Sequence, residues 1–269
     1  MKKEIRTVVY DDELRMEAYR FEGIVQPFPS HFHEHYVIGL MEGGERALSC
    51  RGREYAVKPG DLLLFNPGDS HACVQSGGAL DYRGLNIPKD VMLDLAEKLT
   101  GRRELPEFSQ NVLSDQEAAR SLRVLHVLVM ERSRGPEKEG GLSFLLARLL
   151  RLRGQPFERC VPECRAEIET ACAFLKEHYA RHVCLDEICR RAGLSKSTLL
   201  RAFVRSKGVT PYSYLENIRI SEAKKLLERG VPPVEAALST GFSDQSHFTN
   251  SFHRFLGLTP GACREIFLK

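Results

Sequence analysis

The sequence predicts an α+β protein of two domains, a β-barrel or β-sandwich with flanking helices followed by an all-helical domain. Turn signals recur every 8 to 15 residues between positions 20 and 90, which is typical of small all-β domains. From position 89 onward, apolar residues return at three- and four-residue spacing, which is typical of helices. The last hundred residues also contain an internal repeat. With 269 residues, of which 42% are hydrophobic, the chain is long enough to bury two cores.

The β-rich part contains short apolar runs at residues 36–40 and 61–65. Glycine and proline pairs, among them Gly43-Gly44 and Pro59-Gly60, separate such runs and predict tight turns. Three amphipathic helices should follow, at residues 89–99, 114–132 and 142–152. The leucine stripes of these helices fit either a dimer interface or a cover over the adjacent β-domain, and we expect dimerisation.

A Gly- and Pro-containing stretch after position 153 predicts a linker. The chain is thereby divided into an N-terminal domain at 1–153, a linker at 154–164 and a C-terminal domain at 165–269. The C-terminal domain carries 16 Lys and Arg against 11 Asp and Glu, a net charge of +5, while the rest carries −2. This basic excess suggests a polyanionic partner.

Several classes of protein are excluded by composition. Charged residues interrupt the first thirty positions, so no signal-peptide core forms, and no apolar run approaches the roughly 18 residues of a membrane span. Eight cysteines in 269 residues are too few for a disulfide-stapled scaffold. The sequence therefore predicts a cytoplasmic protein with reduced thiols and no membrane partner.

The repeat in the C-terminal domain has a period of 48 to 49 residues. Five positions recur after 49 residues: Phe203, Arg205, Gly208, Thr210 and Pro211 return as Phe252, Arg254, Gly257, Thr259 and Pro260. Three upstream positions recur after 48 residues: Glu187, Gly193 and Ser195 return as Glu235, Gly241 and Ser243. Both units therefore share one plan, a short helix, a glycine turn, a second helix and a Gly-x-Thr-Pro end.

Each turn of the repeat has the residues of a helix-turn-helix. Gly193 and Gly241 stand where the chain leaves one helix sharply, which favours a positive φ. Ser195 and Ser243 can cap the next helix by accepting a backbone hydrogen bond. The sequence thus predicts two helix-turn-helix units.

A connecting helix should join the two units. Thr210 and Pro211 give it a cap and a favourable first residue, and residues 211–229 span about 28 Å as a helix. B-DNA repeats every 34 Å or so, so a rigid connector of this length could set two recognition helices into successive major grooves.

The second helix of each unit carries side chains suited to reading DNA. Arginine reads guanine, Gln and Asn read adenine, and Ser, Thr and Lys reach phosphates. These side chains are Lys196, Ser197, Thr198, Arg201 and Arg205 in the first unit and Gln245, Ser246, His247, Thr249, Asn250 and Arg254 in the second. Leu199, Phe203, Phe248 and Phe252 should hold the opposite faces. The alternative is a helical hairpin repeat with no ligand, and the polar faces favour DNA binding over it.

Residues 165–267 resemble the DNA-binding domain of the AraC/XylS transcription regulators. The resemblance includes residues 186–195, residues 241–248 and the closing segment 252–260. It implies seven helices, two recognition helices and binding near promoters, usually to activate RNA polymerase. By position, it implies base contacts from Ser197, Leu200 and Arg201 and from Gln245, Ser246, Thr249 and Asn250. Leu200 departs from the polar residue often found there.

The N-terminal domain contains a histidine cluster. His31, His33 and His35 project from one face if they lie in a strand, as a metal site requires. Together with residues 60–61 and 67–71, this segment resembles the two motifs of the cupin barrel, the usual sensory domain of arabinose-type regulators. The resemblance implies metal ligands at His31, His33, a position near Val37, and His71, but valine cannot coordinate an ion and His35 could substitute.

Several interpretations of this domain stay open. The favoured one is an organic effector in a metal-free barrel, with no required cofactor. Its candidate contacts are His31, His33, His35, Tyr36, Arg46, His71 and Arg83, of which the arginines would suit a carboxylate such as an amino acid. The alternatives are a divalent metal at His31, His33, His35 and His71, histidines that merely satisfy polar groups, and a cupin enzyme fused to a DNA-binding domain.

The expected function follows from both domains. The sequence predicts a transcription regulator, not an enzyme, in which an effector changes how the two helix-turn-helix units are presented to double-stranded DNA. Activation is the expected sense of control, and a metal-responsive regulator is the alternative.

Overall fold

A computed structural model describes residues 4–152 and 164–268 of the chain. It confirms the predicted fold class, with a sheet-rich N-terminal part that carries flanking helices and an all-helical C-terminal part. The predicted linker at 154–164 lies outside the described residues except for Cys164, so the predicted domain division stays a prediction.

The N-terminal part contains one sheet, whose strands all pair antiparallel. Within the described residues the strands are β1 (Ile5–Asp11), β2 (Met16–Ile24), β3 (Phe28–His31), β4 (Tyr36–Cys50), β5 (Arg53–Val57), β6 (Asp61–Phe65), β7 (His71–Ile87) and β8 (Val112–Ser114). Their order is β1-β2-β7-β4-β6-β8, and β3 and β5 pair with the far ends of β7 and β4. Every strand of the sheet except β1 and β8 therefore pairs directly with one of the two long strands, β4 and β7.

The predicted turn at Gly43-Gly44 is wrong, because both residues lie inside β4. The register between β4 and β7 shifts at this point, and Gly44 has a φ of 76°. A Cβ on Gly44 would lie 2.4 Å from the carbonyl oxygen of Ala79. The glycine thus permits an irregularity within a long strand, where its sequence signal resembles that of a turn.

Three helices flank the sheet: α1 (Lys89–Thr100), α2 (Gln116–Met130) and α3 (Pro136–Arg151). All three are confirmed, but α3 begins six residues before the predicted start. Pro136 at its first position and Glu137 and Glu139 in its first turn suit a helix N-terminus. Leu122 and Leu125 of α2 and Leu145 of α3 are fully buried in the core that the helices share with the sheet. The leucine stripes therefore cover their own domain.

The C-terminal part contains seven helices in the described residues, as the resemblance implied. They are α4 (Arg165–Glu177), α5 (Leu185–Ala192), α6 (Lys196–Lys207), α7 (Pro211–Glu228), α8 (Pro233–Ser239), α9 (Gln245–Leu256) and α10 (Pro260–Phe267). The helix-turn-helix units are α5–α6 and α8–α9. Each has its own apolar core, and α7 contributes Leu215 and Ile218 to the first and Ala223 and Leu227 to the second. One connecting helix thereby fixes the spacing of the two units.

The turn chemistry agrees with the sequence except at one cap. Gly193 and Gly241 have φ values of 67° and 84°, and Ser195 accepts a hydrogen bond from the backbone N–H of Thr198 at 3.3 Å. Ser243, however, does not cap α9. The carboxylate of Asp244 accepts the bond from the N–H of His247 at 2.7 Å, because α9 begins at Gln245 and Asp244 occupies the N-cap position.

Among the helices of the described residues, none has the length and hydrophobicity that a bilayer-spanning helix requires.

Candidate DNA interface and histidine-lined ligand site

The recognition helices α6 and α9 each bury one face and expose the other. Leu199 and Phe203 of α6, like Phe248 and Phe252 of α9, are fully buried. The other faces carry the predicted DNA contacts. Exposed among these are Lys196, Ser197, Leu200, Arg201, Arg205, Gln245, Ser246, Asn250 and Arg254, whereas Thr198 and Thr249 are half-buried.

Some of these side chains have partners within the protein. Lys196 lies 2.7 Å from the carboxylate of Asp186, and Arg254 lies 3.1 Å from that of Glu216. Both partners of the Lys196–Asp186 pair are exposed, so this pair is weak enough to exchange for a phosphate. Glu216 is buried, so the Arg254 pair is held more firmly. The Thr198 hydroxyl lies 2.9 Å from that of Ser195, where it supports the cap of α6.

The histidine cluster forms where β3 meets β7. His31 and His71 are cross-strand partners, with ring centroids 4.4 Å apart, and the ring of His33 lies 4.9 Å from that of His31. One ring nitrogen from each of His31, His33 and His71 lies within 4.8 Å of those of the other two. The strand expected to carry all three histidines ends at His31, and His33 and His35 lie in the loop between β3 and β4. His35 is not part of the group, and its ring stacks on that of His33 with centroids 4.9 Å apart.

Burial keeps these imidazoles neutral near neutral pH. It lowers the pKa of His31, and it lowers the pKa of His71 and of His33 well below the ordinary value, with the neighbouring histidines adding to the effect. For His35, burial and then the charge of Lys224 lower the pKa to about 4. The cluster therefore offers lone pairs rather than positive charges.

Two adjoining cavities meet at the cluster. The inner cavity has a volume of about 110 Å³ and extends into the sheet, where its walls are apolar. Its lining includes Phe21, Phe28, Met41, Leu48, Leu63 and Leu80. The outer cleft, of about 580 Å³, lies between the N- and C-terminal parts and is lined by charged groups such as Glu34, Lys224 and Lys225. His31 and His33 line both.

The other predicted effector contacts lie away from the cavities. Tyr36 is buried, and its hydroxyl donates to the carbonyl of Pro106 at 2.8 Å. Arg46 is 1% exposed and donates to backbone carbonyls, including that of Ile24 at 2.6 Å. Arg83 pairs with the carboxylate of Glu42 at 2.9 Å. The structure thus brings His31, His33 and His71 to the inner cavity and His35 to the outer cleft. The other three predicted contacts, Tyr36, Arg46 and Arg83, bind protein groups outside both cavities.

The C-terminal part supplies site residues that the sequence did not reveal. Phe255 and Leu256, at the end of the recognition helix α9, line both cavities, and the Phe255 ring lies 6.1 Å from that of His31. A comparison of the two repeat units could have identified them, because both are apolar where the first unit is polar. The equivalent positions of the first unit, 49 residues earlier, are the polar Ser206 and Lys207.

A buried ion pair joins the two parts beside the outer cleft. The ammonium of Lys224 on α7 lies 2.6 Å from the carboxylate of Glu17 on β2 and 3.3 Å from that of Glu228. Burial by itself raises the pKa of Glu17, but the charge of Lys224, the neighbouring His35 and hydrogen bonds from Lys224 and Asn86 together outweigh it, and the pKa falls below the ordinary value. Burial lowers the Lys224 pKa, yet the nearby carboxylates raise it well above its ordinary value. Both groups are therefore charged at neutral pH.

The N-terminal part also contacts the C-cap of each recognition helix. The hydroxyl of Ser30 donates to the carbonyl of Gly208 at the end of α6, at 3.2 Å. The guanidinium of Arg6 donates to the carbonyl of Gly257 at the end of α9, at 2.8 Å. Gly208 and Gly257 are equivalent positions of the repeat, so one domain holds both recognition helices at the same structural point.

Comparison with known proteins matches both parts of the chain. A family model described as an AraC-like ligand binding domain matches residues 14–150, and one described as a helix-turn-helix domain matches residues 188–266. The uncharacterized HTH-type transcriptional regulator YbfI of Bacillus subtilis (strain 168) is 49% identical over 249 residues, which cover 92% of this chain and 90% of YbfI. The HTH-type transcriptional activator RhaS of Klebsiella pneumoniae (strain 342) is 24% identical, with 88% of each chain covered.

Solved structures of ToxT from Vibrio cholerae share the two-part fold. One superposes with a TM-score of 0.56 at 16% identity and covers 93% of this chain and 97% of ToxT. Another, of ToxT with a bound unsaturated fatty acid, has the same score and identity and covers 99% of this chain and 98% of ToxT. At this identity the likeness establishes the fold alone.

Proposed function

This chain belongs to the AraC family of transcription regulators, and we propose that its effector binds in the histidine-lined cavities between its two parts. One observation carries this proposal. Phe255 and Leu256 line the cavities and belong to the recognition helix α9. A molecule that fills the cavities thus touches a helix that contacts DNA, and it can favour one presentation of that helix over another.

The cavities favour an effector with an apolar body and an acidic head. The inner cavity offers aromatic and aliphatic walls, and its mouth offers the imidazoles of His31 and His33. Across the cleft lies the ammonium of Lys225, whose ion pairs with Glu34 and Glu222 are on the surface and weak enough to exchange. An apolar carboxylate satisfies both regions, and ToxT has been crystallised with an unsaturated fatty acid. The carboxylate expected from the sequence is retained, with Lys225 rather than Arg46 and Arg83 as its charged partner.

For DNA, we propose the contacts that the sequence predicts. Arg201, Gln245 and Asn250 are exposed on the outer faces of α6 and α9 and reach base edges, whereas Lys196, Arg205 and Arg254 reach phosphates.

RhaS is named a transcriptional activator, which supports activation through RNA polymerase for this chain as well. The curated relatives are regulators rather than enzymes, and we propose the same for this chain, with the cytoplasm as its place of action.

A homodimer formed through α2 and α3 is also part of the proposal. The leucines of these helices are buried, but Val124, Val127 and Phe144 are 58%, 39% and 52% exposed on their outer faces. Analytical ultracentrifugation tests this surface. We expect dimers of the native chain and monomers of Phe144→Glu. A native chain that is monomeric at tens of micromolar, with and without effector, would contradict the dimer.

Fluorescence anisotropy tests the main proposal. Promoter duplexes from upstream of the gene and its neighbours are titrated with the full chain against random duplex, with fatty acids, aromatic carboxylates and the matched alcohols as trial effectors. We expect specific binding that a carboxylate shifts and its alcohol does not. Leu256→Lys, which installs the residue of the equivalent α6 position, should abolish the shift, while Val234→Ala on the exposed face of α8 should keep it. A shift that survives in Leu256→Lys would place the effector elsewhere.

A further inference from the structure

We propose that His31, His33 and His71 form a binding site for a divalent transition-metal ion such as Zn²⁺, with its fourth position open to the inner cavity. Three nitrogens within 4.8 Å of one another already surround a common point. A tetrahedral zinc ion with N–Zn bonds of about 2.0–2.1 Å would draw them to about 3.3 Å apart.

The surroundings select one ring nitrogen for the ion. Nδ1 of His31 lies 2.6 Å from the carbonyl oxygen of Pro29, and Nδ1 of His71 lies 3.0 Å from that of Asp69. A carbonyl only accepts, so each Nδ1 carries a proton, and in the neutral imidazole Nε2 then keeps the lone pair. Metal-bound histidines in proteins are oriented in this way, by a second hydrogen bond from the other nitrogen.

Packing holds these rings in place before any ion binds. The ring of His71 stacks on that of Phe65 with centroids 3.8 Å apart and planes 7° apart. The backbone pairing of His31 with His71 fixes their separation across the two strands. The site is therefore prearranged, which limits the ordering that binding requires.

The donor set determines the class of ion. Three neutral imidazoles suit Zn²⁺, Cu²⁺, Ni²⁺ or Co²⁺, whereas Mg²⁺ and Ca²⁺ prefer oxygen ligands. Val37 beside the cluster is apolar and lines the inner cavity, so it supplies no fourth ligand. Three protein ligands and an open position are the arrangement in which zinc binds an exchangeable water or an oxygen of a small molecule.

The position of the site connects it to both recognition helices. Ser30 and Ser70, next to His31 and His71 in the chain, lie 3.0 Å apart at their hydroxyls, and Ser30 also donates to Gly208 at the end of α6. On the other side, His31 contacts Phe255 of α9. An ion would tighten the strand ends to which both helices are attached. That an acidic effector would bind this ion rests on the proposed function, but ion binding itself does not.

The test uses the full chain, stripped with a chelator and titrated with Zn²⁺ or Co²⁺ without effector or DNA. We expect one ion per chain and a thermal midpoint raised by about 5 °C at 100-fold excess over Kd. Co²⁺ should give the intense visible bands of a four-coordinate site without a thiolate charge-transfer band, which separates this site from the cysteines.

Variants identify the ligands. His33→Gln is the primary variant, because replacing His71 would also remove the packing of that ring on Phe65. The His33→Gln chain should bind no ion and should keep the native circular dichroism spectrum. His126→Gln, at a buried histidine on α2 outside the cluster, should bind as the native chain does. Absence of stoichiometric binding, binding that persists in His33→Gln, or a thiolate spectrum would each overturn the site. An effector response that persists in a metal-free chain would overturn it as a cofactor but leave the proposed function standing.

Discussion

The two helix-turn-helix units share a backbone plan but differ in what the ends of their recognition helices contact. At equivalent positions, α6 ends in Ser206 and Lys207 and α9 ends in Phe255 and Leu256. Lys207 pairs with Glu169 of α4, within the C-terminal part, at 3.1 Å. Phe255 is 5% exposed and lines the ligand cavities. The second unit therefore forms a wall of both cavities, while the first touches the N-terminal part at its C-cap.

The outer faces of the two helices differ as well. The face of α6 carries three basic residues, Lys196, Arg201 and Arg205, whereas that of α9 carries one, Arg254, beside the uncharged Gln245 and Asn250. Positive charge supplies affinity for any DNA, and amide side chains read particular bases. We infer that the first unit contributes mainly affinity and that the effector acts mainly on the second. The buried pair of Glu17 and Lys224 maintains this arrangement from α7.

Replacing the apolar end of α9 should have the largest effect. Phe255→Ala should lower the free energy of unfolding by about 3 kcal/mol or more, because it removes a buried aromatic ring from a packed contact. It should also abolish the effect of the effector on DNA affinity. Ser206→Ala, the equivalent change in α6, should alter stability by less than about 0.5 kcal/mol and leave the response intact. Chemical denaturation and fluorescence anisotropy measure both. If Phe255→Ala and Ser206→Ala had equal effects on stability and on the effector response, the two units would not differ in the way inferred from their contacts.

Breaking the buried ion pair should have the next largest effect, and it should depend on pH. Glu17→Gln should lower the free energy of unfolding by about 1.5–3 kcal/mol near neutral pH, because Lys224 loses a charged partner. The folded-state pKa of Glu17 is lowered from its ordinary value of 4.5, so its contribution is present above pH 4.5 and is lost as pH falls through the lowered pKa. The difference between native and variant chains should vanish in acid.

The double variant Glu17→Met with Lys224→Met is the control for this pair. It removes both buried charges together and should recover much of the lost stability. Denaturation curves at several pH values measure it. A Glu17→Gln chain whose deficit is the same at pH 7 and in acid would show that the carboxylate charge plays no part.

The sequence was sufficient for the repeat because capping and turn residues act locally. Gly193, Ser195 and Thr210 satisfy backbone geometry within their own turns, so their types report the fold directly. The proximity of His31 and His33 was also predicted, but the strand alternation behind that prediction is wrong, because β3 ends at His31 and His33 lies in the loop that follows it. The contacts of Arg46 and the pairing of Glu17 with Lys224 were not, because the partners lie 22 and 207 residues away and depend on tertiary packing.

Base reading by the first unit should give an intermediate effect that is confined to one base pair. Arg201→Ala should reduce discrimination at that position by about 1–3 kcal/mol if the guanidinium pairs with guanine. Asn250→Ala should do the same at an adenine in the half-site of α9. Competition anisotropy with single-base variants of the operator measures both. If Arg201→Ala weakened binding to all sequences equally, Arg201 would contact phosphate and the base assignment would be wrong.

The smallest effect should come from Lys196, and it should appear in salt dependence rather than in sequence preference. Its ammonium pairs with Asp186 on an exposed surface, and an exposed pair is worth little, so exchange of Asp186 for a phosphate is nearly neutral. Each phosphate contact contributes about 0.9 to the slope of log affinity against log salt. Lys196→Ala should reduce the slope by about this amount at specific and random sites alike. Asp186→Ala should leave the slope unchanged, because it frees the lysine without removing it. A slope that Lys196→Ala leaves unchanged would show that the start of α6 does not contact the DNA backbone. The affinity for DNA would then come mainly from α9, which is the reverse of the division inferred from the faces of the two helices.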